Sequence, residues 1–244
     1  MLIPLNKIIG LKKIRGIIHV GAHDLEELPS YLKAKISKVI WIEANPEKYE
    51  YIQNKIKIHK KMVLGKFAAG NKVETLKLNI SNNGQSSSLL ELGTHSKNYP
   101  KIKYVSEVDV KVMPIDKWLN KKSINHKAFN FVNIDIQGYE LEALKGMQNH
   151  LKNVEFAYLE VNFDQVYKNC AELNDVDNFL NKFNLKRVGI FRTNKGWGDA
   201  IYVRENVLFN RIYYLIIIPQ IRFFRIIKKV KNKFIISIRN LFSF

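Results

Sequence analysis

Cysteine is almost absent from this chain of 244 residues, and Cys170 stands alone. A single thiol excludes an internal disulfide and a zinc cluster built on several cysteines, so a reduced, intracellular setting is the simplest expectation. Long apolar runs are missing as well. The charge-free stretch Ile212–Ile221 is ten residues long and contains Pro219, whereas a helix that crosses a bilayer needs ~20 apolar residues. Met1–Gly16 offers neither the continuous apolar core nor the small-residue cleavage site of a signal peptide, and a cytoplasmic chain, at most peripheral to a membrane, is expected. There is no internal repeat and no low-complexity linker. Acids are scarce beside bases, 22 against 40, giving a net charge of +18. Such a balance suits nucleic acid. No RNP sequence, zinc finger or basic-aromatic platform accompanies it, so nucleic acid is not expected as the partner, and a solvated basic surface accounts for the body.

Apolar residues make up 46% of the chain, enough for a substantial core. The segment Phe131–Met147, FVNIDIQGYELEALKGM, is the most informative part of it. Val132, Ile134 and Ile136 alternate as in a buried strand. Beyond a turn at Gly138, Leu141, Leu144 and Met147 recur at helical spacing, with Gly146 near the end. Ligands of open α/β sheets sit outside the carboxyl ends of the strands, which places Asp135 where a functional carboxylate belongs. A second segment, GIIHVGAHDLEEL, reads as a strand over Ile17–Val20, a turn at Gly21 and Ala22, and a helix. It is followed by SKVIWIEANPEKY, a strand ending in Glu43 with Pro46 at a helix start. This is the layout of a nucleoside-binding βαβ unit, in which small residues admit the ligand and the acid accepts from ribose hydroxyls. The complete Gly-x-Gly-x-x-Gly set is absent, which points away from a dinucleotide.

The order VGAHDLEE, WIEANPE, FAAGN, NNGQSSSLL, VMPIDKWL, IDIQGYELEALKG, AYLEVN and GDAIYVRE resembles the FkbM-type methyltransferases over roughly residues 17–205. The resemblance implies an α/β fold, the class I Rossmann-like sheet of seven mostly parallel strands with the last antiparallel and helices on both faces. It also implies S-adenosylmethionine as cofactor. A divalent metal is compatible with it but not required: His19, His23 and Asp24 are near one another in sequence, and no metal ligands are assigned. The implied cofactor contacts are Gly21, Ala22 and His23 at the first strand end, Glu43 and Asn45 at the second, Phe67 and Ala68 at the third, and Asp135. The implied catalytic pair is Asp135, as base for a hydroxyl acceptor, and Glu160. Ser86, Ser87 and Ser88 in the polar loop, with Gln137, Tyr139 and Glu140, are candidates for the acceptor side. The family carries glycine where this chain has Leu25, so an altered approach of that loop to the cofactor is expected.

Strands are expected near residues 17–20, 38–43, 62–68, 130–135, 155–160, 186–191 and 199–204, and helices near 25–34, 46–56, 139–147 and 172–183. The insert Asn71–Lys127 is expected to hold a hairpin over Glu74–Ile80 and a strand near Val108–Val112. Asp199 and Trp197 are expected to shape the last hairpin. Three regions follow: an edge segment over 1–16, the methyltransferase domain over 17–205, and a basic tail over 206–244. In the tail Phe223, Ile227, Val230, Phe234, Ile238 and Leu241 share a helical face, a pattern that lies on anionic membranes or packs on protein. The expected function is O-methylation of a sugar, glycan or related polyhydroxylated molecule. The alternatives are a non-catalytic nucleoside-binding scaffold recruited to a membrane and an RNA methyltransferase. The sequence leaves the oligomeric state open.

Overall fold

The computed structural model describes residues 14–207. The expectations for the first segment and for the tail's amphipathic face therefore lie outside the described residues, apart from a few flanking positions.

Seven strands form one sheet. Their apolar runs alternate between two faces, and each face is covered. β1 (Ile17–Val20), β2 (Val39–Glu43), β3 (Met62–Lys66), β7 (Phe131–Ile134), β8 (Phe156–Asn162), β9 (Leu185–Arg192) and β10 (Trp197–Arg204) lie in the order β3-β2-β1-β7-β8-β10-β9. The first five are parallel, and β10 runs antiparallel to both β8 and β9. This is the class I methyltransferase sheet that the resemblance implied. Ile18, Val20, Ile40, Ile42, Val132 and Ile134 belong to the cluster on one face, while Ile17, Val39, Trp41 and Phe131 belong to the other. Period-two alternation in neighbouring strands at matched register produces this division.

The helices are shorter than the sequence suggests. α1 spans Leu28–Lys33, with Pro29 in its first turn. The preceding residues 23–27 are spent on a loop in which His23 and Leu25 adopt left-handed backbone angles. α2 (Tyr49–Ile56) follows a 3-10 turn capped by Asn45, whose side-chain oxygen accepts from the Glu47 N–H at 3.0 Å. The third strand divides. β3 ends at Lys66, and after Phe67 the short β4 (Ala68–Ala69) joins a second sheet of three strands.

Here the sequence expectation is corrected. Glu74–Ile80 is not a hairpin by itself but most of a single strand, β5 (Glu74–Ser81), paired antiparallel with β6 (Tyr104–Met113) across a long polar loop. A short helix, α3 (His95–Asn98), lies in that loop, and α4 (Ile115–Lys121) follows β6. The rest of the α/β alternation is α5 (Glu140–Lys145), α6 (Gln148–Leu151) and α7 (Leu173–Asn181). Among the described residues no helix is long and apolar enough to cross a membrane.

Candidate active site

The carboxyl ends of β1, β2, β7 and β8 meet beneath the second sheet, and their backbones are tied together before any side chain contributes. The N–H groups of Gly21 and Ala22 both donate to the Ile42 carbonyl, at 2.9 and 3.1 Å, and the Asp135 N–H donates to the Val20 carbonyl at 3.0 Å. Gly21 has φ +90°, and a Cβ there would stand 2.0 Å from the Asp135 carbonyl oxygen. Only glycine admits this approach. His19 secures the same turn from below. Its Nε2 lies 3.1 Å from the Gly21 carbonyl, while its Nδ1 lies 2.8 Å from the Tyr31 hydroxyl, which also accepts from the Asn133 amide at 2.9 Å. Burial lowers the pKa of His19 against the pull of Glu27.

Glu43 closes the turn from the side. One carboxylate oxygen accepts from the His23 N–H at 2.8 Å and the other from the Asn45 N–H at 2.7 Å. Burial raises the Glu43 pKa, and these two donors oppose the rise. Each carboxylate oxygen still has a lone pair to offer a ligand hydroxyl. Glu43 thus lines a pocket with Gly21, His23, Asn45, Phe67, Ala68, Ser87, Ser88, Asp135, Gln137 and Tyr139, walled by Ile42, Leu78, Leu89 and Ile136. Ala22 is fully buried behind it. Leu25 lies outside it too. Its side chain is 4% exposed and packs in the cluster of Tyr31 and Trp41, so the missing glycine alters the core under α1 rather than the pocket wall. Its φ of +61° retains the backbone shape that a glycine would adopt freely.

A second cavity of about 400 Å³ adjoins the first and shares Gly21, His23, Gln85, Asp135 and Gln137 with it. Five carboxyls line it (Glu26, Glu27, Asp135, Glu160 and Asp199), and among the described residues no lysine or arginine does. Aromatic walls come from His95, Tyr99, Tyr158, Tyr167 and Trp197. Most of these come from segments that the sequence reading did not join to the site. Trp197 and Asp199 do sit in the last hairpin, as expected, but both face this cavity. The Tyr158 hydroxyl donates to Asp199, and the Trp197 ring N–H donates to the Tyr99 hydroxyl at 3.1 Å.

Gln137 stands between the two compartments. Its amide nitrogen donates to Asp135 at 2.7 Å and to Glu160 at 3.1 Å, and its amide oxygen accepts from the Tyr167 hydroxyl at 2.6 Å. Its backbone carbonyl accepts from the Ser88 hydroxyl at 2.7 Å. With φ +58° it also holds a left-handed angle, of the kind that the surrounding structure must over-determine. Burial first, then the carboxyls of Asp135, Glu140 and Asp199, raise Glu160 well above the ordinary carboxylate range, so its protonated form is favoured. Asp135, by contrast, is exposed at the cleft.

The remaining candidates divide. Ser86 lines the second cavity, and its hydroxyl accepts from Asn83 at 3.1 Å; Ser87 donates to the Gly84 carbonyl at 2.7 Å. The three serines thus build the polar loop as well as bordering the cleft. Glu140 lines neither compartment. It is 2% exposed and accepts from the N–H groups of Ile136 and Gly138, at 3.0 and 3.1 Å, holding the turn after β7. Burial pushes its pKa up to about 7. Among the described residues His23, Asp24 and Glu26 lie close enough to share an ion, with His19 not among them. Their charges are already engaged, with His23 2.8 Å from Glu26 and Lys48 2.6 Å from Asp24.

The profile of the methyltransferase FkbM domain matches residues 19–187. No curated protein matches the chain. Among solved structures, a SAM dependent methyltransferase from Aquifex aeolicus is 17% identical, with TM-score 0.42 over 81% of this chain and 86% of that one. The N-methyltransferase NodS from Bradyrhizobium japonicum is 9% identical, with TM-score 0.46 over 82% and 91%. The ribosomal protein L11 methylase from Lactobacillus delbrueckii is 10% identical, with TM-score 0.44 over 82% and 76%.

Proposed function

The chain belongs to the FkbM methyltransferase family, and from that premise we propose that it methylates a hydroxyl of a sugar, glycan or related polyhydroxylated small molecule. The methyl donor is S-adenosylmethionine, which supplies a methyl group already activated by its sulfonium. The first pocket fits it. Gly21 lets the ends of β1 and β7 close against each other at its floor, Glu43 is placed for the ribose diol, and Ile42, Phe67, Leu78 and Leu89 offer apolar walls to a base. The residues of the second cavity then have three tasks. Tyr99, Tyr158, Tyr167 and Trp197 hold an acceptor by its faces and exclude water. Glu160, protonated, donates a hydrogen bond to an acceptor oxygen. Asp135, at the junction of the two compartments, takes the proton of the hydroxyl as the new bond forms.

One observation carries the choice of acceptor: five carboxyls and several aromatic rings in a cavity that, among the described residues, no lysine or arginine lines. Carboxyl and amide groups that exchange hydrogen bonds with hydroxyls, beside flat rings, suit a polyhydroxylated ring. They repel phosphate, and a nucleic-acid acceptor would bring phosphates to the cavity mouth. Incubation with methyl-labelled S-adenosylmethionine and a panel of sugars, oligosaccharides and RNA tests the proposal. Label in hydroxylated small molecules supports it. Label in RNA alone overturns it, and failure to bind the cofactor would overturn the catalytic reading altogether.

A further inference from the structure

The opposite end of the large sheet, where the parallel strands begin, has a different chemistry. The connections entering β2 and β3, residues 33–38 (KAKISK) and 57–61 (KIHKK), hold six lysines and no acid. All six lysines are exposed. Among the described residues, no ion pair engages Lys35, Lys38, Lys60 or Lys61. The two connections are neighbours, since the Val39 N–H donates to the Lys61 carbonyl and β2 and β3 pair from Val39 and Met62 onward. A groove between them is lined by Lys35, His59, Lys60 and Lys61 over an apolar floor of Leu32, Ile36 and Met62. In the same connection, next to His59, Ile58 is 75% exposed, and Leu32 of the floor is itself 42% exposed.

Cations alone would suit any polyanion. An isoleucine left open to water in the middle of a lysine cluster gains nothing from a nucleic-acid backbone, but gains by transfer into hydrocarbon. Val207 belongs to the apolar cluster that includes Ile17, Val39 and Phe156, the first residues of their strands. Val207 is the last described residue, and the sequence after it, residues 208–244, holds eight cations and no acid.

We propose that the strand-start end of the sheet docks on an anionic phospholipid surface, with Ile58 below the headgroups and Lys35, Lys60 and Lys61 against lipid phosphates. The catalytic cleft then opens away from the bilayer, toward the water. Cosedimentation of the full chain with phosphatidylglycerol-containing vesicles, and with pure phosphatidylcholine vesicles, tests the proposal. The double variant Lys60→Gln/Lys61→Gln should bind anionic vesicles about thirtyfold more weakly, from ~1 kcal/mol per lysine near such a surface. Ile58→Asp should weaken binding without removing a cation. The matched variant Lys101→Gln/Lys103→Gln, in the exposed loop leading into β6, should lose far less. Equal losses from the two double variants would show that only total charge matters and would overturn the proposal. So would loss of RNA retention in Lys60→Gln/Lys61→Gln with vesicle binding intact.

Discussion

The two ends of the seven-stranded sheet share one backbone geometry and carry opposite charge. Where the strands end, Glu43, Asp135, Glu160 and Asp199 converge beneath the second sheet, and among the described residues no lysine or arginine lines the adjoining cavity. Where the strands begin, lysines crowd the connections. The net charge of +18 is thus a property of the surface and misdescribes the cleft. A sum over the chain argues for solubility and long-range attraction, whereas the local lining decides which ligand is admitted. Strand ends build sites in open α/β sheets because the loops there leave a crevice. At the starts, the loops only have to turn the chain back into the sheet, so their side chains are free to meet another surface.

The largest effect should come at the cleft. Asp135→Asn keeps the shape of the side chain but cannot take a proton, and turnover should fall ~10²–10⁴-fold with cofactor affinity retained. The matched change at the other end, Lys60→Gln/Lys61→Gln, should leave turnover on a soluble acceptor unchanged. Near-normal methyl transfer by Asp135→Asn would remove the asymmetry between the ends. A pH experiment sharpens it further. Glu140 titrates near pH 7 when folded and near 4.5 when unfolded, so the folded state binds the proton more tightly. Stability from this group is complete below about pH 4.5 and is lost as pH rises through about 7. Glu140→Gln should therefore flatten the decline in thermal stability across that window. The gain at alkaline pH should approach about 3 kcal/mol, provided the Ile136 and Gly138 N–H groups keep an acceptor.

Smaller effects follow. Glu43→Ala should weaken cofactor binding by about ten- to a hundredfold, or ~1.5–3 kcal/mol, in a calorimetric titration. Part of that loss belongs to the freed His23 and Asn45 N–H groups, so Glu43→Gln, which restores one acceptor, should recover some affinity. Unchanged affinity in folded Glu43→Ala would remove the residue from the site. Leu25→Gly sets two effects against each other. It relieves a left-handed leucine, worth about 1–2 kcal/mol, and forfeits a buried side chain, worth about 2–5 kcal/mol. Net destabilisation of ~1–3 kcal/mol with unaltered cofactor affinity is expected, and weaker cofactor binding would return Leu25 to the pocket.

The strands were legible because their apolar alternation is local. Ile17–Val20, Val39–Glu43 and Phe131–Ile134 lie within a residue of their expected limits. The placement of Gly21, Glu43 and Asp135 at strand ends was legible for the same reason, since each terminates such a run. What escaped depends on distance along the chain. The partner of β5 is β6, beyond a loop that no periodicity spans, and Glu74–Ile80 alone reads as a turn-back. The aromatic wall joins Tyr99 to Trp197 and Tyr167 to Gln137, contacts that only the folded sheet brings together. Glu140 misled by its neighbours: an acid next to the turn looks available for a ligand, but its carboxylate is consumed by the backbone of the turn itself.

Gln137 has a consequence for traffic within the cleft. A carboxyl or imidazole between Asp135 and Glu160 would give their protons a relay, but a primary amide neither accepts nor releases a proton at ordinary pH. Both of its ends are committed, nitrogen to the two acids and oxygen to Tyr167, so it acts as an insulator with fixed polarity. With Asp135 as the proposed base, a proton taken up there cannot pass through this amide to Glu160, and the exposed side of Asp135 gives it a way to solvent. On that proposal each cycle discharges its proton to bulk water while the inner acid keeps its own.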